Sequence, residues 1–462
     1  MSSLSLRNQI ADFITHAGAP DSHVEAHMRT LLYDYLSVTA GGASLASSGA
    51  ALASIPTAGA HSQAHPSQLW GTALWASPED AALVNGITGH GLELDDTYEP
   101  SSLHPGVVVF SAVLALAQAT NATWAETVRA AVVGYDVMAQ VGVYVGAKEI
   151  YGRSFHPTGV AGAWGSTAAC AALLGLGLQE TREALSLGAN MAAGSLEFLG
   201  DGSWTKRLNA GHAAAVGFRA VGLAQAGFTG PDSALEGRHG FAAQYGRGTP
   251  ETRKLRLDLG QSALDTSIKF FPCCRYMHGG MDLLAAYRAG NPDLDVERIQ
   301  SIDVAVITAG RALVADPADK KTQIATSVDA QFSMPFGAAA ALLLDHASVD
   351  TFDNAASYAP QFQAVMDKVN CVSSAEIDAP YPERWAAAVT IHLHDGSHIH
   401  LDEPAFVGSP NNPADSERLH AKAVGLIGEE NATLLRHAVD SLEGTQSMGA
   451  WNPGLTAAAR SH

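Results

Sequence analysis

The sequence predicts a mainly α protein with a large all-helical domain and a smaller α+β domain. Apolar residues recur at helical spacing through most of residues 1–267, whereas strand-like alternation is confined to residues 268–405. Helical spacing returns in residues 406–462, so we expect these C-terminal helices to rejoin the first domain. A chain of 462 residues is long enough to form more than one hydrophobic core.

The helical prediction depends on apolar spacing and on recognisable helix starts. Ser77 is placed to cap a helix whose first residue is Pro78, and Thr123 with Glu126 resembles a capping box. The predicted helices span 23–45, 78–95, 107–120, 124–146, 159–176, 181–199 and 209–227.

The second domain is predicted from alternating residues. Ile302, Val304 and Val306 indicate a strand, and residues 387–404 predict a hairpin that turns at residues 395–397. Helices are expected at 277–289 and 330–345, and again from 416 to 442.

The hairpin carries four histidines. A three-residue turn would place His394 opposite His398 and His392 opposite His400, all on one face. We expect a solvated polar face there, with a metal site as the alternative.

Composition excludes several classes of partner. The chain carries 46 acidic residues against 27 Lys and Arg, a net charge of −19, so nucleic acid and anionic membranes are not expected partners. No apolar run is long enough to cross a membrane, and the first residues lack the apolar region of a signal peptide. Four cysteines without a CxxC pattern favour a reduced, cytoplasmic protein.

The densest polar cluster follows the helix predicted to end near residue 95. It contains Glu93, Asp95, Asp96, Thr97 and His104. Buried polar groups need partners or a function, so the cluster is a candidate site. The alternative is a helix end whose acids hydrogen-bond a neighbouring loop.

Two further clusters lie before predicted helices. His156 precedes Pro157 at a helix start, where anions are favoured, although it could simply cap that helix. Lys206 and Arg207 lie in a glycine-bearing stretch before a helix, which could also be an exposed basic loop.

The fourth cluster contains Lys269, Cys274, Arg275 and His278. Lys269 is flanked by apolar residues, and Cys274 and His278 are one helical turn apart. A Cys/His nucleophilic pair is conceivable there, but no third orienting group is evident. The chain contains no HExxH, no P-loop and no GxSxG, so we expect no bound metal and no cofactor.

Taken together, the four clusters resemble the MmgE/PrpD family. The resemblance runs through most of the chain, and its most specific parts are Leu94-Asp95-Asp96-Thr97 with His104-Pro105-Gly106, Phe155-His156-Pro157-Thr158-Gly159, Thr205-Lys206 and Lys269-Phe270-Phe271-Pro272. It implies an all-helical domain, a lid-like α+β domain, an active site between them and a homodimer. Decarboxylases of that family differ from this chain at Glu93, Cys274 and Phe336, where they carry Asp, His and Tyr.

The resemblance implies small di- or tricarboxylate substrates and removal of a proton next to a carboxylate. Such a step builds negative charge, which fixed cations stabilise best in a water-poor cleft. We expect a cationic pocket in which His104, His156, Lys206 and Lys269 are catalytic. The expected substrate-binding residues are Glu93, Asp95, Asp96, Thr97, Tyr151, Cys274, Arg275 and His278.

The expected activity is a cofactor-independent dehydratase similar to 2-methylcitrate dehydratase. An epimerase similar to iminodisuccinate epimerase is the close alternative, followed by a decarboxylase of the cis-aconitate type. The alternative from another class is a non-catalytic carboxylate-binding protein on the same fold.

Overall fold

Two hydrophobic cores organise the computed structural model, which describes residues 5–246 and 253–455. The first core is formed by the N-terminal helices together with the last two helices of the chain. The second is formed by residues between 271 and 406, with Phe198 added from the first domain. Helices make up 57% of the structure, and one small mixed sheet lies in the second core, which confirms the predicted fold class.

The helices before residue 265 are α1 (Leu6–His16), α2 (Ser22–Gly42), α3 (Ala46–Ala53), α4 (Pro78–Gly89), α5 (Pro105–Thr120), α6 (Trp124–Val145), α7 (Ala147–Tyr151), α8 (Pro157–Leu174), α9 (Leu178–Met191), α10 (Phe198–Asp201), α11 (Thr205–Gln225), α12 (Phe241–Tyr245) and α13 (Gln261–Leu264). Those that follow are α14 (Arg275–Gly290), α15 (Arg311–Val314), α16 (Ala318–Lys321), α17 (Ser327–Gln331), α18 (Met334–Leu343), α19 (Val349–Asp353), α20 (Ala355–Met366), α21 (Ala375–Asp378), α22 (Ser416–Ile427) and α23 (Glu429–Asp440). The strands are β1 (Ser67–Gln68), β2 (Trp75–Ala76), β3 (Ile299–Ala305), β4 (Val369–Val372), β5 (Ala387–Leu393) and β6 (His398–Glu403).

Helix starts follow the sequence closely, whereas one important helix end does not. The Ser77 hydroxyl accepts a hydrogen bond from the Asp80 amide, and the Thr123–Glu126 capping box is present. However, α4 ends at Gly89, so the prediction that it continues to residue 95 was wrong. The chain leaves the helix through His90 and reaches Glu93, whose φ of 55° is incompatible with a continuing right-handed helix. Helix α9 also ends earlier than predicted, at Met191 rather than near residue 199.

The larger sheet has the strand order β4-β3-β5-β6. Strand β3 pairs in parallel with β4 and antiparallel with β5, and β5 and β6 form the predicted hairpin. Helices α14 and α18 pack together beside this sheet. Strand β4 was not predicted. It has only four residues and none of them is fully buried, so it lacks a clear alternation of apolar and polar residues.

The hairpin histidines do not pair as predicted. His392 lies opposite His398, and His400 lies opposite Thr390, because the turn leaves four residues between the strand ends and His394 lies within it. The shift is by two residues, so His392, His398 and His400 stay on one face. His392 lies 3.1 Å from an Asp303 carboxylate oxygen. Within the described part of the chain, these histidines do not form a group able to hold a metal ion.

Within the described residues, one helix is long and apolar enough to cross a membrane by length and composition alone. This is α6, of which 89% of the apolar window is buried inside the structure. Its neighbours include α8 and α5, as expected for a core helix.

Helices α4 and α11 approach each other closely because glycines meet at their contact. A Cβ atom on Gly86 would lie 2.7 Å from the Cα atom of Gly211, closer than real side chains come. This contact brings the C-terminal end of α4, at His90, next to the first turn of α11, at Lys206. The helix contact therefore positions two polar side chains of the site described below.

Replacing Gly211 with alanine should strain this contact. We expect Gly211→Ala to lower the free energy of unfolding by about 1–3 kcal/mol, because the added methyl group meets the α4 backbone. Gly222→Ala is the control, since a Cβ atom there meets nothing within 4 Å. That control should be neutral or more stable by up to about 1 kcal/mol. Urea denaturation of both variants measures the difference, and equal stabilities would contradict the proposed close packing.

Candidate active site

The loop that follows α4 carries a run of buried polar side chains. His90, Glu93, Asp95, Asp96 and Thr97 are all nearly inaccessible to solvent. Burying so many polar groups is costly unless they are paired. Their partners come from three other parts of the chain, and these partners define the candidate site.

Glu93 bridges two buried lysines. Its Oε2 atom accepts a very short hydrogen bond from Lys206, and its Oε1 atom lies 3.4 Å from the Lys269 ammonium nitrogen. Burial alone would raise the pKa of Glu93, but the two ammonium groups outweigh it and hold that pKa well below its ordinary value. Glu93 is therefore a carboxylate anion, shared between Lys206 from α11 and Lys269 from the segment before α14.

Asp95 holds two histidine rings. One of its carboxylate oxygens, Oδ2, lies 2.8 Å from His90 Nδ1 and 3.2 Å from His104 Nδ1. Burial opposes ionisation of Asp95, yet His90 and His104 together keep its pKa well below the ordinary value. An ionised Asp95 favours a proton on the Nδ1 atom of both rings.

His90 connects Asp95 to Lys206. Burial lowers the pKa of His90 to about 4, so the ring is neutral near pH 7. The Lys206 ammonium group, which can only donate, lies 2.7 Å from His90 Nε2. His90 therefore keeps its proton on Nδ1, which faces Asp95, and accepts from Lys206 through Nε2.

His104 and His156 occupy equivalent local positions. Each immediately precedes a helix whose first residue is proline, His104 before α5 and His156 before α8. Their rings pack on either side of His90, with centroid distances of 4.8 Å and 5.6 Å. The Nε2 atom of His104 lies 3.7 Å from the Glu93 carboxylate. Burial holds the pKa of His156 well below its ordinary value.

A small cavity of about 30 Å³ lies beside these groups, between the two cores. One side is contributed by the helical domain and the other by the α+β domain. The lining residues are Glu93, Thr97, Ser102, His104, Tyr151, His156, Leu196, Phe198, Lys206, Cys274, Arg275, Tyr276, Leu313, Phe332 and Trp385. Among the described residues, the buried Thr97 hydroxyl and His156 Nδ1 have no hydrogen-bond partner, so both are available to a ligand.

The structure thus brings three of the four predicted catalytic residues to one cavity: His104, His156 and Lys206. The fourth, Lys269, does not line the cavity and acts on it through Glu93. Five of the predicted substrate-binding residues lie on the wall, namely Glu93, Thr97, Tyr151, Cys274 and Arg275.

Asp95, Asp96 and His278 do not line the cavity. Asp95 acts behind the histidines, as described above. Asp96 accepts hydrogen bonds from the Gly106 amide at 2.8 Å and the Tyr135 hydroxyl at 2.7 Å, so it fixes the first turn of α5.

The conceivable Cys274–His278 pair is not assembled. The His278 ring contacts the Cys273 carbonyl oxygen and the Arg275 guanidinium instead. Burial raises the pKa of Cys274 to about 11, which disfavours the nucleophilic thiolate.

The expected cationic pocket is, in this structure, nearly balanced in charge. Lys206 and Lys269 are matched by the carboxylates of Glu93 and Asp95. The Arg275 guanidinium is paired with Glu99 at 2.8 Å. The spacing of these residues along the chain does not show that the acids and the cations neutralise each other, because their pairing depends on the fold.

Sequence reasoning missed His90, and the structure places Phe336 away from the cavity. His90 lies between Gly89 and Gly91, just after the last apolar residue that has helical spacing in α4. The sequence indicates its role only by placing a polar residue five positions before Asp95. Phe336 packs against Phe352 and Phe362 inside the second core and does not line the cavity.

His90, Asp95 and His104 have possible metal-ligand atoms within 4.8 Å of one another. Among the described residues, they are the one group of this kind. The arrangement fits a metal ion poorly. The Lys206 ammonium group already occupies His90 Nε2, and both Nδ1 atoms lie against the same Asp95 oxygen. His90 Nδ1 forms a hydrogen bond with Asp95, whereas His104 Nδ1 lies 3.2 Å from the same oxygen without forming one.

The fold and the site define a two-domain protein with a buried acid, lysine and histidine cluster where the domains meet. A model described as the MmgE/PrpD N-terminal domain matches residues 8–253, and one described as the MmgE/PrpD C-terminal domain matches residues 271–433. Since these matches cover most of the chain, the protein belongs to the MmgE/PrpD family.

Curated relatives share about a quarter of their residues with the chain. Cis-aconitate decarboxylase of Mus musculus is 27% identical, covering 81% of this chain and 77% of the relative. Cis-aconitate decarboxylase of Homo sapiens is 27% identical, covering 77% and 74%. A cis-aconitate decarboxylase-like protein, oryM, of Aspergillus oryzae is 24% identical, covering 79% and 80%.

The buried Asp96 predicts a specific pH dependence. Burial raises the pKa of Asp96 to about 7, against about 4 in an unfolded chain. Between these values the folded protein binds more protons at this group, so its contribution to stability should fall as the pH rises from about 4 to about 7. Denaturation experiments should therefore show that the free energy of unfolding of the wild type, minus that of Asp96→Asn, declines as the pH rises from about 4 to about 7. Asp12→Asn controls for loss of a carboxyl group, because the Asp12 side chain is exposed on α1. A pH-independent difference for Asp96→Asn would refute the assignment.

Proposed function

We propose that this protein is a cofactor-independent lyase that removes a proton next to a carboxylate of a small di- or tricarboxylate. Membership of the MmgE/PrpD family and the similarity to cis-aconitate decarboxylases support a lyase that acts on a carboxylate substrate. The observation that carries the proposal is the convergence of His104 Nε2 and the Lys206–Glu93–Lys269 bridge beside one small cavity.

His104 is the proposed base. Asp95 favours a proton on His104 Nδ1, which leaves Nε2 free to accept the substrate proton. The nearby Glu93 carboxylate then stabilises the imidazolium that forms. This is the usual way in which a carboxylate orients a catalytic histidine and supports its charge.

Lys206 is the proposed stabiliser of the charge that develops on the substrate carboxylate. It lies on the cavity wall and is almost completely buried, so its attraction for an anion is little screened by water. His90 and Glu93 fix the position of its ammonium group before substrate arrives. Such preorganisation reduces the reorganisation needed during reaction.

We propose dehydration as the outcome, with loss of the β-hydroxyl group assisted by an acid on the opposite wall. Tyr151 is the candidate for that role, because it lines the cavity and its phenol, whose pKa burial raises well above the ordinary value, stays protonated and can donate a hydrogen bond to the departing hydroxyl group. Decarboxylation is the second candidate, because the curated relatives carry that activity in their names. An epimerase is the third candidate, and it would require His104 and His156 to flank the substrate carbon on opposite faces, with one removing the proton and the other supplying one.

Deuterium incorporation separates these outcomes. Di- and tricarboxylates incubated in deuterated water should gain deuterium next to a carboxylate, and a hydroxylated substrate should also yield an alkene. Carbon dioxide release would identify a decarboxylase, and deuterium entry with neither product would identify an epimerase. Absence of exchange, alkene and carbon dioxide with every acid tested would refute the lyase proposal.

His104 should be essential for the proton transfer. We expect His104→Gln to lower the exchange rate by about 10²–10⁴, the usual contribution of a general base. His212→Gln is the matched control, because His212 is a partly buried histidine on α11 that contacts the Met191 carbonyl oxygen and lies outside the cavity wall. Exchange at the wild-type rate in the folded His104→Gln variant would remove His104 from the mechanism.

A further inference from the structure

The loop that carries Glu93 and Asp95 is held from behind by the C-terminal helix α22. Lys422 of α22 donates a hydrogen bond to the Leu94 carbonyl oxygen at 3.0 Å. Leu94 lies between Glu93, which bridges the two lysines, and Asp95, which contacts the two histidines. The contact therefore acts on a backbone position that lies next to both carboxylate-bearing residues.

The same helix contacts the segment that carries Lys269. The Lys422 ammonium nitrogen lies 5.8 Å from the centroid of the Phe270 ring, and the Arg418 guanidinium carbon lies 4.6 Å from it. Phe270 directly follows Lys269, whose ammonium group contacts Glu93. Helix α22 thus lies behind both of the segments that meet at the Glu93–Lys269 contact.

Asp34 fixes the ammonium group of Lys422. One of its carboxylate oxygens lies 2.6 Å from the Lys422 nitrogen, and both side chains are at least nine-tenths buried. A buried ion pair adds little net stability compared with apolar side chains of similar volume, so stability alone does not account for this pair. Its more specific effect is to hold an N–H donor against the Leu94 carbonyl oxygen.

We propose that Lys422 is a positioning residue, which places the Glu93 and Asp95 carboxylates for the reaction by holding the Leu94 carbonyl oxygen between them. This inference rests on the proposed function, because it connects the position of the loop to proton transfer. Lys422 does not line the cavity, so it acts through the loop and not on the substrate. Without its hydrogen bond, Asp95 should shift relative to the His90 ring.

Two measurements on Lys422→Met test the inference, since methionine nearly keeps the length of the side chain and removes its donor. The rate of deuterium exchange per folded molecule should fall about 10–100-fold, because small displacements of catalytic groups slow a reaction strongly. The proton on His90 Nδ1, which lies in the 2.8 Å contact with Asp95, gives a nuclear magnetic resonance signal that does not require turnover. That signal should move or disappear in the variant.

Lys368→Met is the matched control, because the Lys368 ammonium group also donates to a backbone carbonyl oxygen and lies outside the cavity wall. It should keep the wild-type rate and the wild-type His90 signal. Asp34→Leu combined with Lys422→Met separates positioning from stability. Apolar replacement of a buried ion pair usually preserves folding, so this double variant should fold even if Lys422→Met does not. It still lacks the donor to Leu94, and it should show the low rate and the altered signal.

The results distinguish this inference from the proposed function. A wild-type His90 signal in the double variant would overturn the inference, and so would a wild-type exchange rate, while exchange by the wild-type protein still supported the lyase. If the wild-type protein catalyses no exchange, the lyase proposal fails. An altered His90 signal in the variants would then still support the part of the inference that assigns Lys422 to the position of the loop.

Discussion

The bridge from Lys206 through Glu93 to Lys269 is the interaction on which the site depends. It joins the loop after α4, the first turn of α11 and the segment that enters the second domain. All three side chains are buried, so removing one partner would leave an uncompensated charge, at a cost of about 3–5 kcal/mol. The same bridge therefore links the two domains and fixes the position of the side chains that would contact a substrate.

Backbone packing prepares the place where that bridge forms. The glycine contact between α4 and α11 sets His90 against Lys206, and Asp96 anchors the start of α5 through Gly106. His104 and His156 then project from the starts of α5 and α8. Residues at helix ends thus supply most of the polar side chains of the cavity wall, whereas residues inside the helices form the apolar core around it.

Charge balance explains how a buried polar site is tolerated in an acidic protein. Two lysines and two carboxylates offset each other, and His90 and His156 remain neutral because burial disfavours their charged forms. A substrate anion must then enter a site that is already neutral. Its binding would then depend on the polar groups of the wall that have no partner within the described residues, such as the Thr97 hydroxyl and His156 Nδ1.

The sequence by itself determined the mainly helical class, the capped starts at Ser77 and Thr123, and the polar clusters that contain the site. These features are local, because they follow from residue spacing and from hydrogen bonds between near neighbours. Only the tertiary structure decided that His90 joins Asp95 to Lys206, that Asp96 supports α5 and that Arg275 is paired with Glu99. Those pairings link residues up to 176 positions apart, and the desolvation that fixes their charges exists only once both cores have formed.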